Sequence, residues 1–251
     1  MILYFSGTGN SRYVAERLGV MLDLPVVPVT DYKDSKIDAS GRPVGIVCPV
    51  YFWGIPTLIS EFIKKTEFQN FEKIFSVCTY GEGAGNASRM LEKEFLRKGI
   101  TVTHQLEIRM PDNYVLFYKV PPKDEQMRML NEADNYIERI PGLLAENAHK
   151  EKRSLIAPAV SAIGYPWYKY GRRTKRFRVT DECTGCSVCE AACQMNIIKM
   201  KDGRPHWTEN RCERCLACVH RCPGAAIQIG RSLKHGRYLN PNIEQWQRGS
   251  L

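Results

Sequence analysis

Cys183-Thr-Gly-Cys186-Ser-Val-Cys189-Glu-Ala-Ala-Cys193 is answered later in the chain by Cys212-Glu-Arg-Cys215-Leu-Ala-Cys218-Val-His-Arg-Cys222. Both runs read C-x2-C-x2-C-x3-C. Each cysteine of the first has a counterpart 29 residues on, and Asn196-Ile197-Ile198 is matched at the same offset by Ala225-Ala226-Ile227. The stretch is an internal duplication. Of the ten cysteines in 251 residues only Cys48 and Cys78 lie outside it, so the composition changes near residue 180, and a domain boundary is expected there. The opening residues form no basic-then-apolar leader, and no apolar run approaches the ~18 residues of a membrane span. A cytoplasmic protein is expected, and in a reducing compartment crowded cysteines point to metal ligation rather than disulfides.

Three thiolates from one short loop can wrap most of a cubane while a fourth arrives from elsewhere. Two structural zinc sites, the competing reading, usually pair C-x2-C halves across a longer gap. Residues 178–230 resemble a bacterial-type ferredoxin domain with two [4Fe–4S] clusters, in which Phe177-Arg178-Val179 and Ile227-Gln228-Ile229 are expected strands. In that pattern the fourth cysteine of each run serves the other cluster. The resemblance therefore gives Cys183, Cys186, Cys189 and Cys222 to one cluster, and Cys212, Cys215, Cys218 and Cys193 to its partner. Gln194 departs from the family, which usually has proline after the fourth cysteine; Pro223 keeps it in the second run. That residue shapes a turn and ligates nothing, so cluster binding is expected to persist with a shifted potential. His220, inside the second run, is expected to be an exposed spectator rather than a residue that tunes the potential.

At the other end of the chain, Met1-Ile-Leu-Tyr-Phe5 has strand length. It is followed by Ser6-Gly7-Thr8-Gly9-Asn10-Ser11 and then by apolar residues at helical spacing, Tyr13, Val14, Leu18 and Met21. A strand, loop and helix in this order aim main-chain N–H groups and hydroxyls at an anion, and the helix start adds a favourable dipole. The loop lacks the lysine of a Walker loop, and Arg12 stands where a dinucleotide fingerprint needs its third glycine. Ser6 to Ser11 instead resembles the phosphate loop of flavodoxins, which binds FMN phosphate largely through neutral donors.

Two further loops follow apolar strands. Val44 to Cys48 leads into Pro49-Val50-Tyr51-Phe52-Trp53-Gly54, and Ile74 to Cys78 leads into Thr79-Tyr80-Gly81-Glu-Gly-Ala-Gly85-Asn86. In doubly wound sheets ligands bind at the carboxyl edge of the strands, and the flavodoxin strand order 2-1-3-4-5 places FMN at the switch point. The resemblance implies that Tyr51, Phe52 and Trp53 stack on the flavin and that the Gly54 peptide reorients as the ring changes redox state. Pro25 to Val29 and Val102 to Ile108 complete five strands, with helices expected over 57–66, 86–98 and 123–147. The stretch Arg109 to Tyr114 borders the flavin, meets the ferredoxin domain or is a plain loop. Cys48 and Cys78 are expected to be small buried thiols.

The formal charge of +9 is local. Residues 1–150 carry 18 basic and 19 acidic groups, 151–180 carry 8 and 1, and 181–251 carry 10 and 7. Eight thiolates around two oxidised cores would add roughly −4, so global basicity says little about partners. The basic, aromatic stretch 151–177 reads as a linker, suited to interdomain packing or an acidic partner more than to nucleic acid. Residues 231–251 read as a tail without recognisable chemistry.

Taken whole, the chain resembles the flavodoxin–ferredoxin fusion proteins of anaerobes, with 1–150 matching the FMN domain and 178–230 the ferredoxin. The resemblance implies an α/β flavodoxin-like five-stranded sheet joined to a small two-[4Fe–4S] domain. It further implies an intracellular electron-transfer flavoprotein that serves redox partner proteins. An FMN-dependent reductase of a small molecule and a redox-sensing binding module are the alternatives. No nicotinamide fingerprint and no substrate site are evident.

Overall fold

Ile2–Tyr4 (β1), Val26–Pro28 (β2), Val44–Pro49 (β3), Ile74–Tyr80 (β4) and Val102–Arg109 (β5) form one parallel sheet with a two-residue edge strand, His149–Lys150 (β6). The order is β2-β1-β3-β4-β5-β6 in a computed structural model that describes residues 1–32, 34–151 and 155–243. The first five strands keep the flavodoxin-like order 2-1-3-4-5, as expected. The sixth is an addition: two residues are too few to show alternation in sequence, and β6 forms by pairing His149 beside His104 on the edge of β5.

Strands covered on both faces read as continuous apolar runs, and the central ones do. Ile2 and Leu3 of β1, Val44, Ile46, Val47 and Cys48 of β3, and Ile74, Phe75, Val77 and Cys78 of β4 have no exposed surface. Gly45 interrupts the run for a steric reason. It sits opposite Phe75 in register, and a Cβ on Gly45 would lie 2.3 Å from the tip of that ring. Around the sheet run Asn10–Leu22 (α1), Thr57–Lys65 (α2), Ala87–Leu96 (α3) and Lys123–Ala145 (α4), close to the expected spans. On α1, Val14, Ala15, Leu18 and Gly19 are buried, and Gly19 lets Val26 of β2 approach closely.

The chain forms two compact units. The first comprises Met1–Ser6, Asn10–Pro111 and Lys123–Lys169; the second comprises Gly7–Gly9, Asp112–Pro122 and the chain from Tyr170 onward. Within the stretch expected as a linker, 151–177, lies a helix, Ala157–Gly171 (α5), whose residues to Lys169 belong to the first unit. Ala157, Ser161, Gly164 and Tyr168 fall on one face at helical spacing, and that face is buried.

In the second unit Phe177–Val179 (β7) pairs antiparallel with Ile227–Ile229 (β10), and Ile198–Lys201 (β8) pairs with Arg204–Trp207 (β9). The short helices are Val188–Ala191 (α6), Ala217–Arg221 (α7) and Ser232–His235 (α8). Its core joins Phe177, Ile198, Leu216, Val219, Ile227 and Ile229 to Val115 and Leu116, so the stretch after β5 belongs to the second unit's core. The described part of the expected tail, 231–243, also packs in the unit: Tyr238 and Asn240 are buried.

Replacing Gly45 by valine forces branched volume into the Phe75 ring and is expected to cost about 1–3 kcal/mol. Urea unfolding of the variant against wild type, with unchanged far-UV circular dichroism, checks this.

Candidate functional site

The eight clustered cysteines gather in two groups of four. Cys183, Cys186, Cys189 and Cys222 line one hollow with Val188, Met200, Pro205 and Ile227. Cys193, Cys212, Cys215 and Cys218 line another, walled by Trp207 and Phe177, whose rings stack at 5.1 Å. Each group takes its fourth member from the other run. The duplication extends to the backbone: Gly185, Ser187 and Asn196 have φ of +71°, +62° and +53°, and their counterparts Arg214, Leu216 and Ala225 have +53°, +60° and +49°. Left-handed backbone is uncommon for Leu and Ala, and its recurrence turns both loops the same way around their hollows.

The sulfur atoms sit where a free thiolate is disfavoured. Burial is the first cause in each case, pushing Cys189 and Cys212 up to about 11, Cys215 up to about 12 and Cys218 well above the ordinary thiol value. Neighbouring cysteines push the same way. Four sulfurs become stable thiolates in such a place only around cationic metal. Main-chain N–H groups point at two of them, Arg214 N–H at Cys212 Sγ (3.3 Å) and Ala226 N–H at Cys222 Sγ (3.2 Å). The two hollows differ in surroundings. Cys186 is exposed, whereas the second hollow lies beside buried Arg214 and the Arg172–Glu213 ion pair (2.7 Å). The donor set and the hollows fit iron–sulfur cubanes.

His220 is buried, contrary to the exposed position expected from sequence. Its Nδ1 accepts from Tyr238 N–H (3.0 Å), which fixes the tautomer, and its Nε2–H donates to the Asn113 carbonyl (2.9 Å). Burial first, then Arg237, depresses its pKa to about 4, against the upward pull of the Asn113 bond. Asn113 Nδ2 in turn donates to Thr8 Oγ1 (2.6 Å), and Asn240 N–H donates to the Thr8 carbonyl (2.9 Å). Gly7 is required here, because a Cβ would lie 2.3 Å from the Cys215 carbonyl oxygen.

Ser6, Thr8, Asn10 and Ser11 are all buried, ahead of and at the start of the 13-residue α1. The main-chain N–H groups of Gly7 and Thr8 meet no acceptor among the described residues. Buried amide donors at a helix N-terminus suit a phosphate, so this end fits the phosphate of a flavin nucleotide. Ser11 Oγ and Thr79 Oγ1 share a hydrogen bond (2.8 Å), and Asn10 Nδ2 donates to the Pro111 carbonyl (3.1 Å).

The aromatic loop, expected to stack on a flavin, is built as a tight turn. Phe52 and Trp53 occupy the two left-handed positions (φ +49° and +60°) of a tight turn closed by Tyr51 N–H to Gly54 O (2.8 Å) and Gly54 N–H to Tyr51 O (3.1 Å). Such turns normally hold Asn-Gly. Helix α5 keeps this one in place. Ser161 Oγ–H donates to the Trp53 carbonyl (2.7 Å) and accepts from Asn86 N–H (2.8 Å), Tyr165 O–H donates to Ile55 O (2.8 Å), and Phe52 stacks on Tyr168 at 6.2 Å. Tyr51 meets Phe5 and Tyr168 edge-on. The Trp53–Gly54 peptide is thus bonded on both sides, its N–H donating to the Tyr51 carbonyl and its carbonyl accepting from Ser161 Oγ–H and Asn86 N–H, and Gly54 lies beneath Tyr165; reorienting that peptide would break these hydrogen bonds. In the third loop the Thr79 carbonyl accepts from Val50 N–H (2.8 Å), the Tyr80 carbonyl from Met110 N–H (2.8 Å), and the Gly81 carbonyl from Arg109 Nε–H (3.1 Å). Gly85, left-handed at φ +60°, lies against Trp53. Pro49 closes β3 opposite Thr79. Cys48 and Cys78 are neighbours in register, both fully buried, and contribute to neither hollow.

The second unit, with two cysteine quartets in mirrored loops, is that of an iron–sulfur protein. Residues 182–227 match the 4Fe–4S dicluster domain family. The chain is 40% identical over 52 residues to Ferredoxin-2 of Chlorobaculum tepidum, an alignment covering 18% of this chain and 84% of that protein. Through this domain the chain belongs to the two-cluster ferredoxin family. Among solved structures it is similar to the Trp repressor binding protein of Bacillus subtilis, with TM-score 0.36, 14% identity and 55% and 96% of the two chains covered. It is also similar to rubredoxin oxygen:oxidoreductase of Desulfovibrio gigas, with TM-score 0.32, 13% identity and 58% and 36% covered.

Ser161→Ala removes one partner each from the Trp53 carbonyl and the Asn86 N–H, which keep their bond to each other (3.1 Å), and is expected to cost about 0.5–1.5 kcal/mol. A lowered urea midpoint with altered tryptophan fluorescence checks it. For His220 the folded pKa lies below the ~6.5 of the unfolded chain, so the unfolded state takes up the proton first as pH falls. Its contribution is complete above about pH 6.5 and fades toward pH 4. The difference in urea midpoint between wild type and His220→Gln is therefore expected to shrink from pH 7 to pH 4.5.

Proposed function

We propose that the chain is an electron-transfer flavoprotein that links an FMN site in the α/β unit to two [4Fe–4S] clusters and, through them, to redox partner proteins. The observation that carries this reading is the gathering of eight cysteines into two quartets, each around a hollow. Cys183, Cys186, Cys189 and Cys222 would ligate one cluster, and Cys193, Cys212, Cys215 and Cys218 the other. The Gly7 and Thr8 amides, with the Ser6, Thr8 and Ser11 hydroxyls and Asn10, would hold the flavin phosphate. Pro49 to Gly54 with Thr79, Tyr80, Gly81 and Gly85 would flank its ring.

When bound, FMN exchanges one or two electrons and each cluster exchanges one, so the chain can join two-electron to one-electron chemistry. The chain's own residues set the conditions. Apolar walls, including Phe177 and Trp207, line the second quartet, and N–H donors to Cys212 and Cys222 favour the electron-rich state of those sulfurs. Exposed Cys186 makes the first quartet the side at which a partner protein would exchange electrons.

Anaerobic purification followed by iron, sulfide and flavin quantitation tests the assignment. About eight irons and one FMN per chain are expected. Zinc, or about four irons, overturns the quartet assignment, and a full iron complement without flavin overturns the flavin site alone.

A further inference from the structure

Helix α5 has a single charged residue among its fifteen, Lys169. The face formed by Ala157, Ser161, Gly164 and Tyr168 is buried. The opposite face is apolar as well. Ile156, immediately before the helix, is 69% exposed, Ile163 is 73% exposed and Trp167 is 74% exposed. Their separations of seven and four residues align them in one stripe, and Tyr170, 60% exposed, continues it one turn further. A helix apolar all round is ordinarily covered all round, and large apolar side chains gathered on one exposed face mark a binding surface.

The surrounding charge identifies the kind of surface. Residues 152–180 contain no acidic side chain and eight basic ones. Arg173, Lys175 and Arg176 are exposed, and each lies within nine residues of Trp167 along the chain, a reach of at most about 32 Å. An indole, isoleucines and a phenol on one stripe with basic side chains nearby is the composition of helices that lie in a membrane interface. Among the described residues no helix is long and apolar enough to cross a membrane, so the contact is with a surface.

We infer that α5 is a membrane-surface anchor: the Ile156, Ile163 and Trp167 stripe enters the boundary between headgroups and acyl chains of an anionic lipid layer, and the basic residues around it face the headgroups. An anionic bilayer supplies apolar depth and negative charge together, which matches both features of this segment. The inference is independent of which flavin the α/β unit holds.

The full-length chain, purified anaerobically, is sedimented with vesicles of phosphatidylcholine alone and of phosphatidylcholine with phosphatidylglycerol. Co-sedimentation with the anionic vesicles only is expected, declining as salt shortens the Debye length to about 3 Å at 1 M. The double variant Ile163→Ser, Trp167→Ser replaces exposed residues and is expected to keep its iron content and circular dichroism. Its partitioning should fall roughly tenfold or more. Absence of wild-type binding to either vesicle, equal binding to both, or unchanged binding by the variant overturns the inference. A wild-type dimer that becomes monomeric in the variant, without vesicle binding, would assign the stripe to a second copy of the chain.

Discussion

Sulfur buried away from water is the constraint on which the second unit depends. Cys218 and Cys189 are buried, Cys212 and Cys215 are half-buried, and burial first, then neighbouring cysteines, holds all four thiols above their ordinary range. Such side chains are tolerated as thiols, but as thiolates they require positive charge in their midst. The loops around the hollows depart from ordinary backbone to meet that requirement. Leu216 and Ala225 adopt left-handed conformations that cost roughly 1–2 kcal/mol each, and a small core of Phe177, Ile198, Val219, Ile227 and Ile229 carries that strain. A unit of this size has little other apolar area, so metal binding and folding are expected to be linked.

The first unit meets a different constraint. A parallel sheet covered on both faces has its free main-chain groups at the strand ends, and the carboxyl edge gathers them into loops. Two of those loops are stabilised by side chains from far along the chain. The turn at Phe52 and Trp53 lacks the residues that favour it, and Ser161, Tyr165 and Tyr168 of α5 hold it from about 110 positions away. A tight turn built on aromatic residues is the kind of local conflict that accompanies binding sites. In the loop Ser6 to Ser11 the side chains of Asn10 and Ser11 are already engaged, by the Pro111 carbonyl and Thr79.

What could be read from the chain was what is encoded locally. The C-x2-C-x2-C-x3-C spacing is a property of one loop, so the eight cysteines and their duplication were evident without a fold. The runs Val44 to Cys48 and Ile74 to Cys78 are apolar without alternation, and that pattern alone identified strands buried on both faces. The loop Ser6 to Ser11 was recognisable because its hydroxyl and glycine residues are adjacent. Helix α5 was the main local signal missed. Its buried positions 157, 161, 164 and 168 have helical spacing, but Pro158, Pro166 and an apolar opposite face hid the amphipathic pattern.

Tertiary structure decided what depends on residues about a hundred positions apart. His220 stands among cysteines and basic residues; burial keeps it neutral, and its bonds to the Asn113 carbonyl and the Tyr238 N–H fix its place in the second unit. Asp112 to Pro122 reads as a loop after a strand, yet Val115 and Leu116 fill the second unit's core because that small core needs apolar volume from outside its own repeat. Sequence by itself determined the cysteine repeat and the apolar strand runs, since each follows from short-range spacing, while the strand order came with the resemblance to flavodoxins. Which aromatic residues face a cofactor and which hold a turn was left to packing, because a side chain's role there depends on what the fold brings against it.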